Sequence, residues 1–270
     1  TAFISHPDTL LHMMDGSHPE SPARITAIKN ALIKQGIYQK LDIYEAPLAT
    51  DRELERVHSA EYVQKIRSLS PKAGLVRLDA DTAMGPMSLS AALHASGAVV
   101  FATDLVMRGM ADNAFCCIRP PGHHAGRANS AGFCIFNHVA VGAAHAFVKY
   151  GIKRAAIIGA DTRSDRMLNI PLPAKSGRKE FQQAFEKEFL PALNAFKPEI
   201  IFISAGFDAH ADDPLADMRL TDADYAWMTQ FIKKVAAQHA QGRIISSLEG
   251  GYHLPALGEA VCSHIEALLV

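Results

Sequence analysis

The feature that most narrows what this chain can fold into is a repeated alternation of short apolar runs with longer stretches of helical spacing. Four runs read as buried strands: Ala114 to Ile118, Arg154 to Ile158, Glu199 to Ser204 and Arg243 to Leu248. Each has strand length, and three are rich in isoleucine, as expected of parallel strands covered on both faces. Between them lie helical segments. Residues 87–109 and 136–150 are alanine-rich, and the second stops at Gly151, a natural helix terminator. Residues 179–196 run to Lys197-Pro198, where proline ends the helix. Thr221-Asp222-Ala223-Asp224 has the form of a capping box opening a helix through His239, and Leu254 to Leu269 gives a last helix. The alternation predicts an α/β fold: one domain, a mostly parallel sheet, helices on both faces.

In such folds ligands gather beyond the carboxyl ends of the strands. The places to inspect are therefore the loops following Arg119, Ile158, Ala205 and Leu248. The first reads Arg119-Pro120-Pro121-Gly122-His123-His124. Prolines and glycine fix the backbone there, and histidine has the side chain best suited to proton transfer near neutrality. The loop after Ala205 carries Asp208, a carboxylate that is costly to bury unless it binds a metal or accepts several hydrogen bonds; an N-cap or turn role is the alternative. Asp212 and Asp213 read as turn residues before Pro214. The loop after Leu248 reads Glu249-Gly250-Gly251-Tyr252. Its glycines, Gly251 included, let backbone approach a ligand, and the Tyr252 hydroxyl could donate to a developing oxyanion.

Length and charge bound the rest. At 270 residues the chain can bury one substantial core, and a net charge of −1 offers no basic field for nucleic acid. No run of about 18 uninterrupted apolar residues argues for a membrane span. The four cysteines (116, 117, 134 and 262) show no CxxC spacing and sit in apolar surroundings, as buried thiols of a reducing compartment do. With no secretory pattern at the start, a cytoplasmic protein is expected. The chain begins at Thr1 rather than a methionine, a small sign that the translated protein is longer.

At this point the motifs resemble those of the histone deacetylase family, especially its class II-like and prokaryotic branch. The resemblance is carried in order by residues 18–24 (HPESPAR), 57–63 (VHSAEYV), 78–82 (LDADT), 119–124 (RPPGHH), 132–137 (GFCIFN), 169–173 (NIPLP), 206–210 (GFDAH) and 249–252 (EGGY). It implies the three-layer arginase/deacetylase-like architecture and zinc-dependent hydrolysis of an N-acetyl amide, in acetyllysine or an acetylated small amine. Residue by residue, it implies that His124 is the general base and His123 its electrostatic partner. It further implies that Asp208 is a zinc ligand, Tyr252 the oxyanion donor and Phe133 a wall of the substrate tunnel.

One departure stands out. The family places two more ligands, in an Asp-x-His motif, just after the strand that here ends at Ile158. This chain instead reads Gly159-Ala160-Asp161-Thr162-Arg163-Ser164-Asp165. One alignment puts Asp161 in a ligand position and Arg163 where histidine belongs, and a guanidinium cannot coordinate zinc. The other treats Ile158–Gly159 as a seam from which several tens of residues are missing. It is preferred because the strand stops without its ligand loop. A chain with one carboxylate ligand is expected to have an incomplete zinc site, since a catalytic zinc usually takes three protein ligands. Two other functions stay open: a silent protein retaining an acyl-lysine tunnel, and an arginase-like manganese hydrolase. Oligomeric state is not legible.

Overall fold

The computed structural model describes residues 1–159, 168 and 170–270. Eight strands are present among them: β1 (Ala2–Ser5), β2 (Asp42–Glu45), β3 (Val76–Arg77), β4 (Ala83–Met84), β5 (Asn113–Cys116), β6 (Ala155–Ile158), β7 (Ile200–Ala205) and β8 (Ile244–Leu248). Six form one sheet in the order β2-β1-β5-β8-β7-β6, every neighbouring pair parallel. β3 and β4 make a small antiparallel hairpin beside it. The four strands predicted from apolar runs are β5 to β8, with ends displaced by a residue or two. β1 and β2 were not predicted. β2 is an edge strand with mostly exposed side chains, so it lacks the apolar run that marks a covered strand.

The helices are α1 (Ala23–Lys34), α2 (Asp51–Leu54), α3 (Ala60–Leu69), α4 (Ser88–Met107), α5 (His138–Tyr150), α6 (Arg178–Ala184), α7 (Leu190–Phe196), α8 (Asp222–His239) and α9 (Leu254–Leu269). Side-chain alternation along the strands sorts them into two outer layers. Phe3, Phe115, Ile201 and Ile203 face a core shared with Ile28 of α1, Val235 of α8 and Val261 of α9. Ile4, Cys116, Ile200 and Phe202 face the opposite core, shared with Val99 of α4 and Ala143 of α5. The three-layer α/β architecture expected from the alternation is the one observed.

Local chemistry accounts for the helix ends. Asp224 accepts from the Thr221 N–H and hydroxyl (both 2.8 Å), which opens α8 as the capping box predicts. α5 ends at Gly151 in the left-handed region, φ 66°. The predicted helix over 179–196 is interrupted: α6 and α7 are joined by a π-helical turn, Phe185–Phe189. α4 is long and apolar enough to cross a bilayer by length and composition, but most of it is buried inside the protein. All four cysteines are buried and free.

Candidate active site

β5, β8 and β7 are adjacent in the sheet and all run parallel, so the loops leaving their carboxyl ends emerge side by side. The loop after β5 starts from Arg119, which is fully buried. Its guanidinium donates to Glu20 Oε2 at 2.7 Å and to the Thr9 carbonyl at 2.8 Å. Gly122 then packs so tightly that a Cβ would lie 2.6 Å from the His138 ring and 2.7 Å from the Phe136 carbonyl oxygen. Only glycine fits, and the chain turns to present His123 and His124 with ring centroids 3.9 Å apart.

His123 stands on Glu249. Its Nδ1 is 2.9 Å from Glu249 Oε2, which also accepts the backbone N–H groups of Gly122 (2.6 Å) and His123 (3.1 Å). Burial raises the Glu249 pKa, but the hydrogen bond and charge of His123, with His138 and the Gly122 amide, outweigh it and hold the carboxyl below its ordinary range. Glu249 is thus a fully buried carboxylate that fixes the His123 ring.

The loop after β8 is held as firmly. Arg24, fully buried, donates from Nε to the Gly251 carbonyl (2.6 Å), from Nη1 to Glu20 (3.2 Å) and from Nη2 to the Glu249 carbonyl. Asp213 Oδ2 accepts the N–H groups of Tyr252 (2.6 Å) and His253 (3.1 Å). Gly251 has φ 116°, and a Cβ there would meet Phe207 and Leu257 within 2.9 Å. Tyr252 lies 6.0 Å from Phe133, edge to face, with the Arg24 guanidinium 5.0 Å from its centroid. Burial raises its pKa, Arg24 pulls against that and Asp208 adds to it. The phenol therefore stays protonated and can donate.

Asp208, after β7, rests against two glycines: a Cβ on Gly250 would come within 2.5 Å of its carboxylate, and one on Gly206 within 2.8 Å. Burial raises its pKa, helped by the charge of Asp213; its own backbone amide, then His123 and Arg24, counter only in part. Asp208 is a half-buried carboxylate whose charge the described residues compensate only in part.

Phe133 itself has φ 70° and follows Gly132 at φ 53°. Its N–H donates to Thr82 Oγ1 (3.1 Å), and the Gly132 N–H to Asp81 Oδ1 (3.1 Å). Asp79 accepts from the Ser130 hydroxyl. Gly132 is pressed against His124, with room for no side chain (2.4 Å). His18 meets the Phe133 ring edge to face at 4.5 Å.

All six site residues expected from the sequence, His123, His124, Phe133, Asp208, Gly251 and Tyr252, are therefore brought together at one end of three adjacent strands. Asp161, Arg163 and Asp165 lie outside the described residues. Sequence reasoning missed the supports. In the sequence Glu249 stands out only as part of the EGGY motif, and Asp213 has the setting of a turn residue, yet it is buried and grips the Tyr252 backbone. Glu20, Arg24 and Arg119 form a fully buried charge network that composition could not reveal.

One donor of each of His123, Cys134 and Glu249 lies within 4.8 Å of the others. Burial, with Glu249 nearby, pushes the Cys134 thiol well above its ordinary pKa, so it is no ready thiolate ligand. Glu249 already accepts two amides and faces His123. This trio is a pedestal for the histidine.

Comparisons agree with the geometry. The histone deacetylase domain profile matches residues 18–164 and 158–268. A histone deacetylase-like amidohydrolase from Pseudomonas aeruginosa is 32% identical over an alignment of 295 residues, covering 93% of this chain and 77% of that protein. The polyamine deacetylase HDAC10 of Homo sapiens is 30% identical over 325 residues, covering 100% of this chain and 48% of that protein, so the chain spans about half of it. The crystal structure of the HDA15 HD domain superposes with a TM-score of 0.91 at 28% identity, covering 100% of this chain and 88% of that one. Profile, relatives and fold coincide over nearly the whole sequence, and the chain belongs to the histone deacetylase family.

Proposed function

We propose that this protein hydrolyses the N-acetyl amide of an acetyllysine or an acetylated small amine in a zinc-dependent reaction. The observation that carries the reading is the convergence of two imidazoles, a protonated phenol and a half-buried, only partly compensated carboxylate at the ends of β5, β8 and β7. His124 takes the proton of the attacking water and returns it to the leaving amine. His123, fixed by Glu249, shares the water's hydrogen bonds. The Tyr252 hydroxyl donates to the oxyanion as the carbonyl becomes tetrahedral. Phe133 and the Gly251 backbone line the approach for an extended apolar stem. A zinc ion bound at Asp208 would polarise the carbonyl and lower the pKa of the water.

Asp208 suits a cation, because its carboxylate is held close against the Gly206 and Gly250 backbone at the strand ends, with the Asp213 charge acting on it as well. It is one ligand where a catalytic zinc takes three. The missing two are assigned to a segment belonging at the Ile158–Gly159 seam. Three observations support that segment. The family profile matches in two stretches that meet at residues 158–164. Alignments with relatives run to 295 and 325 residues, longer than this 270-residue chain. An apolar cavity of about 380 Å³, lined by Ile158, Gly159, Ile170, Leu172, Phe185 and Ile203, lies at that point. Among the described residues it is an apolar space large enough to accept further side chains.

The test is an assay of zinc-supplemented protein on an acetyllysine peptide and on an N-acetylpolyamine, with peptide binding measured in parallel. Turnover of either substrate supports the proposal. A second reading, a silent acyl-lysine binder, rests on the single described ligand; tight peptide binding with no turnover on either substrate selects it.

A further inference from the structure

The corner between α2 and α3 takes no part in the chemistry proposed above, yet it grips both legs of the loop that carries His124. His58, at that corner, is almost fully buried. Its Nδ1 lies 2.9 Å from the Gly126 carbonyl oxygen, and its Nε2 lies 3.0 Å from the Asn137 amide nitrogen. We infer that, given the base role proposed for His124, His58 is its positioning residue: one ring ties residues 122–126 to residues 132–137 and so fixes where the His124 imidazole stands.

The partners settle the tautomer of His58. A carbonyl can only accept, so Nδ1 carries the proton; a backbone amide can only donate, so Nε2 offers its lone pair. One neutral tautomer meets both demands. Burial, against the Gly126 hydrogen bond, depresses the His58 pKa to about 4, so the ring is neutral near pH 7. Tyr62 and Phe136 pack on it with centroids 5.5 and 5.4 Å away, which leaves the ring little freedom to turn.

Both legs bear on His124. On the first, the Ser59 amide donates to the Arg127 carbonyl at 2.9 Å, next to the Gly126 contact. On the second, the Tyr62 hydroxyl donates to the Ile135 carbonyl at 2.8 Å. Asn137 Nδ2 crosses between them, donating to the Ala125 carbonyl at 3.2 Å. Residues 131–134 close a turn through paired backbone hydrogen bonds of Ala131 and Cys134 (2.9 and 3.3 Å), and Gly132 in that turn abuts the His124 ring with no room for a Cβ. A shift of one leg against the other therefore moves the surface on which His124 rests. Displacing a reacting group by about 1 Å costs on the order of 10²-fold in rate.

Two substitutions separate hydrogen bonding from packing. His58→Phe keeps a ring and removes both hydrogen bonds, whereas His58→Gln loses the ring but keeps a donor and an acceptor. With zinc-supplemented protein and an acetyllysine peptide, His58→Phe should lower kcat roughly 10–100-fold with peptide binding changed far less, and His58→Gln should recover most of that loss. In a His124→Ala background His58→Phe should have little further effect on kcat, because its route to the reaction is gone. Histidine 15N spectra give a readout that needs no turnover: wild-type His58 should show a protonated Nδ1 and a bare Nε2, and the His124 signals should move in His58→Phe but not in His58→Gln. Circular dichroism checks folding. His58→Asn, whose shorter amide reaches the Gly126 carbonyl alone, serves if His58→Phe misfolds and should lose kcat likewise. A folded His58→Phe or His58→Asn protein with wild-type kcat would overturn the inference, as would an equal loss without His124, a protonated Nε2 on His58, or His124 signals that His58→Phe leaves unmoved. Wild-type protein that turns over neither an acetyllysine peptide nor an N-acetylpolyamine would refute the proposed function instead, and the spectra would then decide the role of His58 by themselves.

Discussion

Two loops leave the same edge of the sheet and are treated very differently. The loop after β8 is bound into place by groups far away in sequence: Arg24 holds the carbonyls of Glu249 and Gly251, and Asp213 holds two of its amides. The end of β6 meets an apolar cavity of about 380 Å³ instead. Buried charge fixes the Tyr252 backbone and the His123 ring. The difference teaches that the side chains after β5 and β8 are preorganised by buried groups distant in sequence, whereas the residues after β6 are bordered by an apolar cavity.

The comparison can be broken at its firm end first. Replacing Arg24 by methionine leaves Glu20 and two carbonyls short of a buried donor, and a loss of about 3–5 kcal/mol of stability is expected, read from denaturant unfolding. A change under about 1 kcal/mol would show that the network is not what holds the β8 loop.

Acid sharpens the same contrast. His264 lies under the firm side of the sheet, between Thr229 and Ser246, and burial depresses its pKa to about 4. Its folded-state pKa lies below the unfolded value near 6.5, so the unfolded chain binds the extra proton. Stability should therefore fall as pH drops from about 6.5 to 4, by on the order of 3 kcal/mol from this group. His264→Gln should flatten that part of the pH profile; an unchanged slope would remove His264 from the account.

A smaller effect is expected at Asp213. Asp213→Ala strands the Tyr252 and His253 amides and should cost about 1–3 kcal/mol, with a fall in kcat larger than the fall in substrate affinity. Equal effects on both would mean that the loop's position does not matter to the reaction.

At the β6 end, the mass of the protein from its natural source is the discriminating quantity. A value matching the 270-residue chain would remove the seam segment. A mass larger by several tens of residues, with the extra peptide mapping between Ile158 and Gly159, is the expected result.

What the sequence made legible follows the same division. β5 to β8 were visible because strands covered on both faces are apolar throughout, whereas β2, on the edge, carries Asp42 and Glu45 and gave no such signal. His123, His124, Asp208 and Tyr252 were visible because polar side chains directly after covered strands stand out. Their supports were not. Glu20, Arg24 and Arg119 look like surface charges until partners 99 and 225–227 residues away come beside them. Asp213 sits in a turn-like Asp-Asp-Pro whose partner amides lie 39 and 40 residues on. No local pattern encodes such pairings.

Tyr252→Phe tests the central claim most directly, with kcat/KM for an acetyllysine peptide measured beside the equilibrium binding of that peptide. The hydroxyl is assigned to the oxyanion alone, so turnover should fall roughly 10²–10³-fold, about 3–4 kcal/mol, with binding and Tm nearly unchanged. Undiminished turnover by a folded Tyr252→Phe protein would contradict the account.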